Sequence, residues 1–160
     1  MIDDVIKNIE THINRLEKAV NEIKNLNSIK EVDLEKFDVI KTIDSFIFRF
    51  MKLQDYMGQK FFRVFLEEIG EYSDDMSLLD ILDKLEKLKF IENAEEWIKI
   101  RKLRNKLAHE YPESYEEIKN DLILAVEYYN TMKKIYHYMK NYLKQKGIIK
   151  WCGRELLKSI

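Results

Sequence analysis

Residues 2–23 read IDDVIKNIETHINRLEKAVNEI. Within them Ile2, Ile6, Ile9, Ile13, Leu16, Val20 and Ile23 recur at alternating steps of four and three. That spacing lines apolar groups along one side of a 3.6-residue turn and predicts an amphipathic helix of about seven turns. A connection follows over residues 25–31. From Asp33, read as an N-cap, the pattern resumes through Phe37, Ile40, Ile43, Ile47, Phe50 and Met51 to at least Tyr56. Gly58 is placed to kink this second helix before Phe61, Phe62, Phe65, Leu66 and Ile69 carry it to Gly70. Two long amphipathic helices in succession imply an antiparallel pair, and a bundle.

The rest of the chain supplies further helices, each with its own start signal. Ser77 with Asp80 has the spacing of a capping box and opens a short helix through Leu88. Asn93 with Glu96 repeats the signal for a helix carrying Trp97, Ile100, Leu103 and Leu107, which Pro112 stops; His109 then falls in its last turn. Ser114 with Glu117 opens a final long helix carrying Ile118, Leu122, Ala125, Tyr129, Met132, Tyr136, Met139 and Leu143 and ending near Gly147. The expected fold is all-α, an antiparallel bundle of about five helices over residues 1–147. Residues 148–160, with Trp151, form a tail or a short docked helix.

Composition agrees. A chain of 160 residues with 46% apolar and 36% charged residues, four glycines and one proline suits one helical domain. The single cysteine, Cys152, allows no intramolecular disulfide and excludes a Cys-rich zinc site, which fits a reducing cytoplasm. Met1-Ile2-Asp3-Asp4 lacks a signal-peptide pattern, and no apolar run approaches the roughly 20 residues of a membrane span. A net charge of -1 offers no global attraction to nucleic acid. The basic residues are unevenly spread, however. Lys99, Arg101, Lys102, Arg104 and Lys106 crowd one stretch, and Lys133, Lys134, Lys140, Lys144, Lys146, Lys150, Arg154 and Lys158 gather towards the end; these read as solvated faces that permit RNA contact.

One segment asks for more than folding: Arg104-Asn105-Lys106-Leu107-Ala108-His109-Glu110-Tyr111, just before Pro112. A permanent guanidinium suits the charge of a phosphoryl transition state, and a histidine that titrates near neutrality suits acid–base work. Five residues turn an ideal helix by roughly 140°, so Arg104 and His109 do not share a face. Convergence on one phosphate would rely on the reach of the arginine, the helix end, or a second copy of the chain. Cleavage of RNA needs little more, because the ribose 2′-hydroxyl supplies the nucleophile.

The same eight residues, near the end of a helix in an all-α domain of this size, resemble the Arg-x4-His-x-Tyr motif of HEPN-domain proteins, specifically the HepT-like group. The resemblance implies a helical bundle that dimerises with two motifs facing each other. It also implies a metal-independent endoribonuclease without cofactor, acting as the toxin of a toxin–antitoxin module. Its partner would be an MntA-type minimal nucleotidyltransferase that silences it by transferring AMP to the motif tyrosine. Carried over, Arg104 binds phosphate and stabilises the transition state, His109 is acid or base, Asn105 orients the histidine or the substrate, and Tyr111 is the modified residue. The alternative is a non-catalytic helical subunit that presents substrate to a nucleotidyltransferase. A plain helical interaction protein is a third possibility.

Other residues are set against this centre. Asp44 and Asp55, on the helix expected to pack on the motif helix, are candidate acidic partners that read as solvent-facing. Arg49, among Phe46, Ile47, Phe48, Phe50 and Met51, reads as snorkelling from the core or reaching the RNA groove. His12 and His137 have no second ligand at metal spacing and read as packing or surface residues. Tyr128, Tyr129, Tyr136, Tyr138 and Tyr142 read as core and interface packing. No Gly-rich phosphate loop and no Gly-Ser with paired aspartates is present, so the chain itself should not transfer nucleotides.

Overall fold

The computed structural model describes residues 1–109 and 114–150. Tyr111, Pro112 and the 151–160 part of the expected tail lie outside them. The described chain is all-helical: α1 (Ile2–Glu22), α2 (Phe37–Tyr56), α3 (Phe62–Glu68), α4 (Leu78–Lys87), α5 (Ala94–His109) and α6 (Tyr115–Gln145). A π turn over Met57–Phe61 joins α2 to α3 with helical backbone on both sides, so the two run as one rod and the bundle has five. No strand occurs among the described residues.

The stripe on α1 is buried as its spacing requires. Ile2, Ile6, Ile9, Ile13 and Leu16 are core residues, joined by Val5 and Ala19, while Val20 is half-buried. The helix has 21 residues, about six turns. Beyond it the connection forms two short 3₁₀ turns, Leu26–Ser28 and Glu31–Glu35. Here the expected N-cap is corrected. Asp33 accepts the N–H of Lys30 at 2.9 Å and thereby closes the second 3₁₀ turn, so α2 begins later, at Phe37.

The three later start signals act as caps. Ser77 accepts the Asp80 N–H at 3.2 Å while Asp80 accepts the Ser77 N–H at 2.9 Å, a reciprocal box. Asn93 accepts from Glu96 at 2.7 Å, and Ser114 from Glu117 at 3.2 Å. Ser77→Ala removes one half of the box and should lower stability by about 1 kcal/mol. Urea denaturation checks this, and an unchanged midpoint would mean that packing alone sets where α4 starts. At the other end of the rods, α3, α4 and α6 all close with the same pair of backbone bonds around a left-handed residue: Gly70 (φ 76°), Lys89 (φ 66°) and Gly147 (φ 73°).

Aromatic rings form the centre of the core. Phe62 meets Trp97 edge-on at 4.6 Å, Phe65 meets Phe90 at 4.7 Å and Phe90 meets Tyr142 at 4.9 Å, which ties α3 to α5 and α6. Gly58 lies under Trp97. A Cβ there would stand 3.4 Å from the indole Nε1 and 3.7 Å from the Gln54 amide nitrogen, so the indole fits against bare backbone. Gly58→Ala should therefore be tolerated and raise stability by up to about 1 kcal/mol, since the added Cβ meets only ordinary contacts and alanine gains in helix propensity. Gly58→Leu would push the ring out of its seat and should cost about 1–3 kcal/mol. Equal denaturation midpoints for the two variants would contradict that packing.

Polar groups fix the register of α1 on α6. Glu10 accepts from the Tyr136 hydroxyl at 2.9 Å and pairs with Lys140 at 2.7 Å. Seven residues on, Glu17 accepts from the Tyr129 hydroxyl and pairs with Lys133 at 3.4 Å, so the two helices run antiparallel. The Tyr129 bond holds the Glu17 carboxyl below its usual range, and burial with the same bond pushes the Tyr129 phenol up. The packed unit continues past residue 147, because Ile149 is buried in the core. No helix among the described residues is long and apolar enough to cross a membrane.

Candidate functional site

The last turns of α5 carry Arg104, Asn105 and His109. Leu103, on the inward face, anchors this end of the helix in the core, and Leu107 packs against the core's edge. Lys106 ties it to α6 through Glu117 at 2.7 Å and Asp121 at 2.9 Å, which holds the ammonium above its usual range. Around this fixed end the candidate residues separate. Arg104 lies against α2, with its side chain 19% exposed, while Asn105 and His109 are exposed.

Arg104 is held in place. Its Nη2 donates to Asp55 Oδ2 at 2.6 Å and its Nη1 to Asn105 Oδ1 at 3.1 Å. A guanidinium has five N–H groups; with these two engaged, three remain, and the one on Nε is buried without a partner. Asp55 does not face solvent as expected: it turns to α5 and is half-buried in an ion pair. Asp44, by contrast, is exposed. A half-buried pair of this kind loses little to salt and orients both partners, where a fully solvated pair would contribute almost nothing. Asn105 hydrogen-bonds to the arginine, and no hydrogen bond joins it to His109 among the described residues. No hydrogen bond or ion pair joins His109 to Arg104 among the described residues, in line with their angular separation on the helix.

On its other side Asp55 opens onto a groove of about 700 Å³ between α1 and α2, lined by His12, Arg15, Phe48, Arg49, Lys52, Asp55, Tyr56, Gln59 and Lys60. The π turn contributes Gln59 and Lys60, whose direction depends on the extra residue it inserts. Arg49 is not sunk in the core; its guanidinium lies 5.1 Å from the centre of the exposed Phe48 ring, with the Lys52 ammonium at 5.2 Å. His12, read from the sequence as a packing or surface residue, lines this groove. Its ring packs on Tyr56 at 5.4 Å and its Nδ1 is buried with no hydrogen-bond partner. Only the pairing of α1 with α2 places it there, and no signal within α1 marks it out.

Burial, then the charges of Arg15, Arg49 and Lys52, lower the pKa of His12 from the ordinary 6.5. An unfolded chain therefore binds the proton at a pH where the folded chain does not. The contribution of His12 to stability is complete above about pH 6.5 and is lost as pH falls through its lowered folded pKa. Denaturation midpoints measured from about pH 7.5 down to about pH 5 should fall, and His12→Gln should flatten that slope. A slope indifferent to the substitution would place the proton elsewhere.

Comparison with protein-family profiles, with curated proteins and with solved structures finds no match for this chain.

Proposed function

We propose that this chain is a HepT-like toxin, a metal-independent endoribonuclease centred on Arg104 and His109, with Asn105 beside the arginine. The observation that supports the reading best is the Arg104–Asp55 pair. A surface arginine serving only solubility would be solvated, whereas this one is half-buried, fixed by two hydrogen bonds and left with donors unspent. Fixed positive charge is what a phosphoryl transition state requires, because no reorganisation is then needed at the moment of reaction.

In the proposed reaction the 2′-oxygen forms a bond to phosphorus as His109 accepts its proton, and the bond from phosphorus to the 5′-oxygen breaks. The leaving oxygen takes up a proton, giving a 2′,3′-cyclic phosphate and a 5′-hydroxyl. Base and acid are two jobs for two imidazoles. The exposure of His109 at a helix end allows a second copy to bring its own histidine opposite, so the working form is a homodimer. Arg104 neutralises the non-bridging oxygens as charge builds on them.

Tyr111, outside the described residues, follows His109 by two positions and is the proposed acceptor of AMP from a cognate MntA-type nucleotidyltransferase. A bulky anion two residues from His109 would add negative charge to the motif and repel RNA. Two measurements test the proposal. RNA incubated with the chain in chelator should be cut to fragments with cyclic-phosphate ends, and intact-mass analysis after treatment with the partner and ATP should show one or more added AMP groups. A stable complex with a nucleotidyltransferase but no cleavage at any pH would favour the accessory-subunit reading instead.

A further inference from the structure

The groove between α1 and α2 concentrates positive charge in a chain whose net charge is -1. Four cations line it, Arg15, Arg49, Lys52 and Lys60, against one carboxylate, Asp55, which pairs with Arg104. None of the four makes an ion pair among the described residues, although other lysines of the chain do. Arg49, Lys52 and Lys60 follow at steps of three and eight, so they share one stripe that spans about 16 Å along the rod. Phe48 stands at the rim, 47% exposed, with two of these cations 5.1 and 5.2 Å from its ring centre.

We infer that this groove binds single-stranded polynucleotide, with the cationic stripe following successive phosphates and Phe48 stacking against a base. A row of unpaired cations beside an exposed aromatic face is the arrangement that holds single strands without reading sequence. Gln59 and the uncharged His12 add hydrogen-bonding groups that suit sugar and base edges. A membrane surface fits less well, since the groove is concave and Phe48 is the exposed apolar side chain it offers. The inference rests on the proposed ribonuclease reading only for the choice of RNA as ligand. The groove would then hold the strand beside Arg104, since Asp55 touches both.

The test is fluorescence anisotropy of a labelled single-stranded oligoribonucleotide of about 12 nucleotides, titrated with the full chain carrying His109→Ala so that no turnover intervenes. Charge reversal of Arg49 and Lys52 to Glu should weaken binding at least about tenfold and lower the salt dependence of log K by about 1.4, two contacts at about 0.7 each. Lys18→Glu with Lys24→Glu, off the groove and equal in charge change, should weaken it less than about twofold. Phe48→Ala, which leaves the charges in place, should weaken binding several-fold with the salt slope unchanged. Helical content by circular dichroism confirms that each variant is folded.

Equal binding by the groove and control pairs would overturn the inference. So would binding of a duplex or of anionic phosphatidylglycerol vesicles in preference to the single strand. The outcomes separate from those of the nuclease reading. RNA cleavage by the unmodified chain with binding indifferent to the groove would remove the groove alone; groove-dependent binding without cleavage would remove the nuclease alone.

Discussion

Replacing Trp97 with alanine should cost about 3–5 kcal/mol of folding free energy, the largest stability effect expected from any single side chain here. The indole is 1% exposed, meets Phe62 edge-on at 4.6 Å and covers Gly58 on the π turn. Its removal leaves a void bounded by rings and by helix backbone, neither of which collapses easily. Trp97→Phe should cost clearly less. The indole Nε1 is buried without a hydrogen-bond partner, so phenylalanine removes an unsatisfied donor along with part of the packing. Urea denaturation at unchanged slope measures both, and a loss below about 1 kcal/mol for the alanine variant would mean that the α3–α5 contact is not central to the core.

The second large effect belongs to Arg104. Under the proposed mechanism Arg104→Ala should lower kcat about 100-fold or more, with the circular dichroism of the fold unchanged. Lysine should not restore it, because the three N–H groups of an ammonium diverge from one nitrogen and lack the planar fork whose separate Nη1 and Nη2 hold Asn105 and Asp55. Asp55→Ala leaves the arginine present but loose. About a tenfold loss is expected, read in kcat rather than KM, because what disappears is the fixed orientation of the charge. An Asp55 variant as impaired as Arg104→Ala would imply that the carboxylate itself takes part, and one as active as the unmodified chain would mean the pair only braces α2 against α5.

What could be read from the chain and what could not divide by distance. The α1 stripe and the caps at Ser77, Asn93 and Ser114 are decided within a few residues, and they are found where their spacing places them. Asp33 shows the limit of even local reading, since the competing N–H of Lys30 lies three residues upstream and takes the carboxylate first. Gly58 is legible as a kink in the second helix but not as a π turn, and the Trp97 ring that lies against it belongs to another helix. The same holds for function. The motif is local and visible, whereas its Asp55 partner is 49 residues away and the groove around His12 exists only once α1 lies on α2. The Glu10 and Glu17 pairs with α6 join residues more than 110 apart and leave no mark in either helix alone.

The proposed cleavage requires a proton transfer at His109. Its most direct test is the rate of RNA cleavage in chelator by the unmodified chain and by His109→Ala, compared at equal helical content and equal oligomeric state. Loss of about 100-fold or more in the variant, with RNA binding retained, is the expected result. Cleavage at an unchanged rate by His109→Ala would contradict it.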